Sequence, residues 1–368
     1  MAVETRREFL TLLAAAGGAT AFGWPRLNAF AAAAGADVTA SAGRDLAARA
    51  HDWDWLVGSW DVWHRRLKER LAGDTHWEEF AGKSSFWQAL GGLGNIDDNI
   101  VALPSGTYRG LTVRAYDPAT DQWAIWWVDG RDPADIDVPV RGRFEKGLGT
   151  FFGNAMFKAR PIIMRFKWQD LYSRRPWWEQ AFSPDNGKTW EINWRNWFTR
   201  TSPKPRPHAL LPDAPKDFAF LVGSWKVQHR KLRQRLVGSK DWDEFDGTLV
   251  NWPVLGGHGN VGDNVMNAPG GTIRGIGLRT FDPKVKQWSS WWLDGRAPTE
   301  FTPPQHGSFA ADGVGTLLAD DKLDGRPIKT RVIWSKITKN SARWEQACSA
   351  DGGATWETNW VSDLTRTG

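Results

Sequence analysis

Leu56-Val57-Gly58-Ser59-Trp60 returns as Leu221-Val222-Gly223-Ser224-Trp225, 165 positions further along the chain. The same offset relates Leu90-Gly91-Gly92, Asn95 and Asn99 to Leu255-Gly256-Gly257, Asn260 and Asn264. It also relates Gln122-Trp123, Trp126-Trp127 and Asp129-Gly130-Arg131 to Gln287-Trp288, Trp291-Trp292 and Asp294-Gly295-Arg296. Later the offset is 166, with Trp178-Glu179-Gln180-Ala181 answered by Trp344-Glu345-Gln346-Ala347. One inserted residue over a unit of about 150 marks a duplicated domain, not a solenoid built from short repeats. The copies are expected at 52–201 and 217–367. Between them, 202–216 carries Pro203, Pro205, Pro207, Pro212 and Pro215, which predicts a stiff, extended linker.

Each copy reads as consecutive short strands. In the first they are expected near 54–68, 77–88, 93–101, 108–116, 122–130, 138–145, 148–157, 161–169, 176–184 and 189–200. Asp117-Pro118, Asp132-Pro133 and Asp185-Asn186-Gly187 supply turn chemistry between strands. Outside the N-terminal stretch, only 43–50 offers a short helical period. About ten antiparallel strands in one unit must close on themselves to hide their edges. The fold class is therefore all-β: two tandem antiparallel up-and-down barrels of about ten strands each. Gly58-x-Trp60, just inside the first strand, resembles the calycin barrels, which include lipocalins, fatty-acid-binding proteins and the nitrobindin-like group. That resemblance implies that the Trp plugs one barrel end beneath an Arg of the last strand, here Arg200 and Arg366.

Composition narrows the function classes. Hydrophobic residues make up 41% and charged residues 24%, as in a globular chain. The 26 Trp dominate the aromatic content. One Cys excludes an intrachain disulfide and any thiolate metal cage, and Cys348 is expected to be an inert buried thiol. Seven His without metal-ligand spacing leave no metal site to propose. A +5 net charge spread along the chain is not a nucleic-acid footprint. No G-x-S-x-G, P-loop or dinucleotide glycine pattern is present.

The N-terminus reads as an address. Thr5-Arg6-Arg7-Glu8-Phe9-Leu10 precedes an apolar run to Phe22 that is too short to span a bilayer. The paired arginines resemble the twin-arginine export motif, and Ala29-Phe30-Ala31 fits signal cleavage. Residues 1–31 are thus expected to be a signal peptide, the mature protein periplasmic or secreted, with no stable membrane insertion after cleavage. Removing three arginines and two glutamates leaves the net charge at +4, from +5.

Strand alternation supplies the candidate site. With Trp60 facing inward, Val62, His64 and Arg66 share its face, matched by Trp225, Val227, His229 and Lys231. Asp98 and Asp263, each set between aliphatic neighbours, are expected to be interior carboxylates paired with His64 and His229. Trp127, Asp129 and Arg131 share one phase of the fifth strand, as do Trp292, Asp294 and Arg296. Arg114, Arg279, Glu79 and Glu244 are further candidate ligand-binding residues. Asp129 with Arg131 also reads as a structural ion pair closing a turn.

Three functions fit this pattern. An indole-rich barrel suits a small apolar or aromatic ligand, which is the substrate class the calycin resemblance implies. A His64/Asp98 acid–base pair, repeated as His229/Asp263, would instead give a hydratase, isomerase or cyclase. Haem binding, as in the nitrobindin-like group, would use the interior histidine, although the first copy has no His in its late strands. No metal or cofactor is expected for the first two readings, and no nucleic-acid partner.

Overall fold

The structure, a computed structural model, describes residues 46–368. The expected signal peptide, residues 1–31, lies outside the described residues. After a short helix at Leu46–Arg49, the first ten strands are β1 (Gly58–Leu67), β2 (Trp77–Ala89), β3 (Gly94–Leu103), β4 (Gly106–Asp117), β5 (Gln122–Asp129), β6 (Val140–Glu145), β7 (Leu148–Phe157), β8 (Arg160–Gln169), β9 (Trp177–Ser183) and β10 (Glu191–Ser202). The second ten are β11 (Gly223–Leu232), β12 (Trp242–Val254), β13 (Gly259–Ala268), β14 (Gly271–Asp282), β15 (Gln287–Asp294), β16 (Gln305–Phe309), β17 (Gly315–Leu323), β18 (Arg326–Ser335), β19 (Ser341–Ser349) and β20 (Glu357–Arg366). Each set closes into an antiparallel barrel, β1 pairing β10 and β11 pairing β20. Among the described residues no helix is long and apolar enough to cross a membrane.

Closure is fixed at one end by a repeated clamp. In register, Trp60 faces Arg200 across β1 and β10, and Trp225 faces Arg366 across β11 and β20. The Arg200 guanidinium lies 4.1 Å from the centre of the Trp60 ring, and that of Arg366 lies 4.2 Å from Trp225. Arg200 also donates to the carbonyls of Val57 and Trp55, in the 3-10 turn that plugs the barrel. Arg366 donates to Val222 (2.7 Å) and to Phe220 in the second plug. Each indole N–H returns a bond to the plug, Trp60 to Leu56 and Trp225 to Leu221, both at 2.8 Å. Gly58 (φ +133°) and Gly223 (φ +121°) are obligatory here. A Cβ on Gly58 would sit 2.6 Å from Arg200 Nη1, and a side chain rarely adopts that φ.

Plug and barrel wall are tied by a second repeated contact. Trp123 donates to Asp52 (2.8 Å) and Trp288 to Asp217 (2.9 Å). Trp53 then packs between Trp55, Trp123, Phe144, Phe151 and Trp168, with Phe218 in its place in the second barrel. Much of the indole content is thus floor and core.

The barrels pack against each other through outward faces of β3–β5 and β13–β15. Ile96, Val113, Trp126 and Val128 bury against Val261, Leu278, Trp291 and Leu293 in one apolar cluster. Trp87 stacks on Trp252, centres 6.1 Å apart. The proline-rich linker runs along this seam. Ser85 donates to Arg206 O (2.7 Å), and the Leu211 amide donates to Gly256 O (2.7 Å).

Trp60→Ala should destabilise the protein by about 3–5 kcal/mol through lost burial. Arg200→Ala removes one cation–π contact and two carbonyl bonds at a partly exposed position, and should cost about 1–3 kcal/mol. Urea unfolding checks the order; equal small losses would contradict the clamp.

Candidate functional site

Each barrel encloses a cavity above its plug. The first, about 90 Å³, is lined by His64, Arg114, Trp127, Trp178 and Trp194 among others. The second, about 290 Å³, is lined by His229, Arg279, Trp292, Trp334, Trp344 and Trp360 among others. The size difference follows from substitutions at matched wall positions. Thr112, Ile125, Met164 and Phe198 of the first are Gly277, Ser290, Thr330 and Leu364 of the second, and the lining Phe166 is matched by the buried Val332. Each change trims atoms from the interior.

The interior histidines are neutral. His64 stacks on Phe80 at 4.9 Å and His229 on Phe245 at 4.9 Å. Burial pushes both pKa values down to about 4. Trp360 donates to His229 Nδ1 (3.4 Å), with the Ser362 hydroxyl 2.8 Å from the same nitrogen. In the first barrel Trp194 Nε1 and Asn196 Oδ1 lie 3.3 Å and 2.7 Å from His64 Nδ1. The other ring nitrogen of His64 packs against Gly82 of β2.

Trp127 lies flat across Gly110, and Trp292 across Gly275, where any side chain would collide with the indole. These two are the aromatic walls the strand phase predicts. Arg114 also points inward. It donates to Asn95 Oδ1 (2.8 Å) and Asp97 Oδ1 (3.0 Å), and stacks 4.8 Å from Trp53. Asn99 completes a chain, donating to Asp97 Oδ2 (3.1 Å) while accepting from Ser84 at 2.5 Å.

Three expectations are corrected. Asp98 and Asp263 leave the barrel instead of entering it, so they form no pair with His64 or His229. Asp98 Oδ1 accepts the Leu255 amide of the other barrel (2.9 Å), and Asp263 Oδ1 accepts the Leu90 amide (3.1 Å). Each carboxylate thus caps the Leu-Gly-Gly turn of the opposite copy, where Leu90 and Leu255 hold φ of 54°. The aliphatic neighbours Ile96 and Val261 mark this buried seam, not a cavity wall. Glu79 and Glu244 face solvent, paired with Arg65 (3.5 Å) and Arg230 (3.1 Å). Finally, Asp129 with Arg131 and Asp294 with Arg296 are ion pairs at the end of the fifth strand, each at 2.6 Å. They do not line the cavities, although Arg131 lies 3.9 Å over the ring of the lining Tyr108.

The functional side chains missed by the sequence reading are Asp97, Asn99, Asn196 and Trp194. Their signal lay in β3, where Asn95, Asp97 and Asn99 form one polar phase against Ile96 and Ile100. Cys348 is fully buried, with burial raising its thiol pKa, as the reading held. Among the described residues no group of three or more His, Cys, Asp or Glu converges to hold a metal.

Several solved structures are similar to this chain. A redesigned β-barrel bound to DFHBI is 14% identical, with 40% of this chain and 99% of that one covered and a TM-score of 0.23. The S-type phycobiliprotein lyase of Guillardia theta is 12% identical, covering 41% and 90%, with a TM-score of 0.30. A protein of unknown function from the DUF3598 family, from Nostoc punctiforme, is 10% identical, covering 87% and 99%, with a TM-score of 0.27. Likeness at this level transfers no ligand, reaction or residue role. No family model and no curated protein matches the chain.

Burial raises the pKa of Asp98 from 3.8 to about 7. Its protonated form therefore favours the folded state, a contribution complete below about pH 4 and lost as the pH rises through 7. Asp98→Asn keeps the oxygen facing Leu255 and cannot ionise. In urea, variant and wild type should be equally stable near pH 4, with the variant increasingly the more stable up to pH 7.5. A difference that does not change with pH would contradict this.

Proposed function

We propose that the protein is an exported small-molecule binder in which the second barrel holds a ring-bearing, largely apolar ligand. The observation that carries this reading is the cavity of about 290 Å³ walled by Trp292, Trp334, Trp344 and Trp360. Flat indole faces bind rings by stacking and exclude water, while a few polar groups fix orientation. The clamp of Trp60 beneath Arg200, with its copy, supports the calycin-type architecture from which this ligand class was inferred. The first barrel, with about 90 Å³ and an Arg114 neutralised by Asp97, serves as the structural partner. The acid–base reading loses its expected pairs, because Asp98 and Asp263 accept backbone amides of the opposite copy. Export rests on Arg6-Arg7 and the short apolar run that follows.

N-phenyl-1-naphthylamine, a neutral fluorophore, should bind with one equivalent per chain in a fluorescence titration. Gly277→Thr/Thr330→Met/Val332→Phe installs first-barrel residues and should weaken that binding by about tenfold or more. Binding that survives the filled cavity would place the ligand elsewhere and refute the reading.

Replacing Arg6 and Arg7 together by Lys should leave the precursor in the cytoplasm. Fractionation showing normal export of that variant would refute the twin-arginine route.

A further inference from the structure

We infer that the second barrel selects a ligand bearing a carboxylate, received by Arg279, and that position 262 decides this selectivity. The inference rests on the binding reading above and names its ligand class. Arg114 and Arg279 occupy matched places in β4 and β14, yet their surroundings differ in charge. Arg114 is neutralised inside the protein by Asp97, at 3.0 Å. The residue matching Asp97 is Gly262, and the residue matching Ser84 is Leu249, so the second barrel has neither the carboxylate nor its support. Asn264, which matches Asn99, turns its amide to the carbonyls of Gly262 (3.1 Å) and Gly275 (3.3 Å).

Arg279 keeps only Asn260 Oδ1, at 3.1 Å, and its Nε has no hydrogen-bond partner. Protein encloses it on every side except the cavity. Among the described residues no carboxylate lies within ion-pair distance of it. Asp320 and Asp321 also line this cavity but are exposed at its rim, and Asp320 is paired with Lys329 (2.8 Å). Arg235 is the other cation lining the cavity. Burial lowers the Arg279 pKa to about 10, which leaves the side chain cationic at neutral pH. A buried cation without a counter-charge is costly. Stacking over Phe218 (5.3 Å) and Trp334 (5.2 Å) offsets part of that cost. A planar carboxylate supplies the rest, because it accepts two parallel N–H bonds from one guanidinium. Room beside the guanidinium comes from Gly277, where a Cβ would still lie 3.7 Å from Arg279 Nη2. The ligand class is thus an aromatic or ring-bearing monocarboxylate, its ring on the indoles and its head on Arg279.

The test is calorimetric titration of the full chain with 2-naphthoate and its neutral isostere 2-naphthamide. Wild type should prefer the carboxylate by about 10–100-fold, the range of a charge-assisted bidentate pair. Gly262→Asp/Leu249→Ser rebuilds the first-barrel pair and should abolish the preference while retaining the amide, with near-UV circular dichroism checking the fold. Arg279→Leu should act in the same direction. Equal affinity of the two compounds for wild type would overturn this inference and leave the cavity reading intact. Binding of neither would overturn both. Loss of the amide together with the acid in the double variant would also count against a charge-specific role.

Discussion

A guanidinium laid on an indole decides much of this structure. Ten strands close only if the first meets the last in one register, and a slip of one residue would reverse every side chain. Arg200 sets that register because it must reach the Trp60 ring and two plug carbonyls at once. The plug it holds then forms the cavity floor. Trp53 in one copy and Phe218 in the other lie under the interior arginines, Arg114 at 4.8 Å and Arg279 at 5.3 Å. The same device that shuts the barrel therefore positions the charge that faces a ligand. A three-residue motif beginning with glycine could carry so much because Gly58 admits both the positive φ and the close approach of Arg200.

The fold was legible because its signals are redundant. Twenty strands, their turns and the duplication repeat one another, and the expected boundaries fall within a few residues of β1–β10. The site was legible only where side-chain phase was anchored by something independent. His64 lines the cavity in the phase set by Trp60, and Trp127 lines it too, whereas Asp129 and Arg131 of the same expected phase do not. The aliphatic flanks of Asp98 point to a buried face without telling the barrel interior from the seam. In an isolated barrel the buried face is the interior, but here the outer face of β3 is itself buried by the other copy. A single sequence carries no sign of which apolar face meets a neighbour. Glu79 failed for the opposite reason: its strand alternates cleanly, and its partner Arg65 already marked the solvent side.

The two surfaces of the wall answer to different partners, the other copy outside and the cavity inside. Outward positions at the seam are bound reciprocally. Asp98 serves Leu255 and Asp263 serves Leu90, while Trp87 meets Trp252. A change on one side strands a buried amide on the other, at a cost of about 1–3 kcal/mol, so the copies hold each other in place there. Interior positions have no such partner in the other barrel. Phe166 can become Val332, and Asp97 can become Gly262, with the consequences confined to one cavity. Packing would normally punish such losses with collapse or a costly void. A wall of hydrogen-bonded strands, pinned by the clamp at one end and the seam along one side, cannot follow the trimmed side chains inward. The duplicated chain thus holds one well-filled barrel and one with a larger interior in the same closed ten-strand shape.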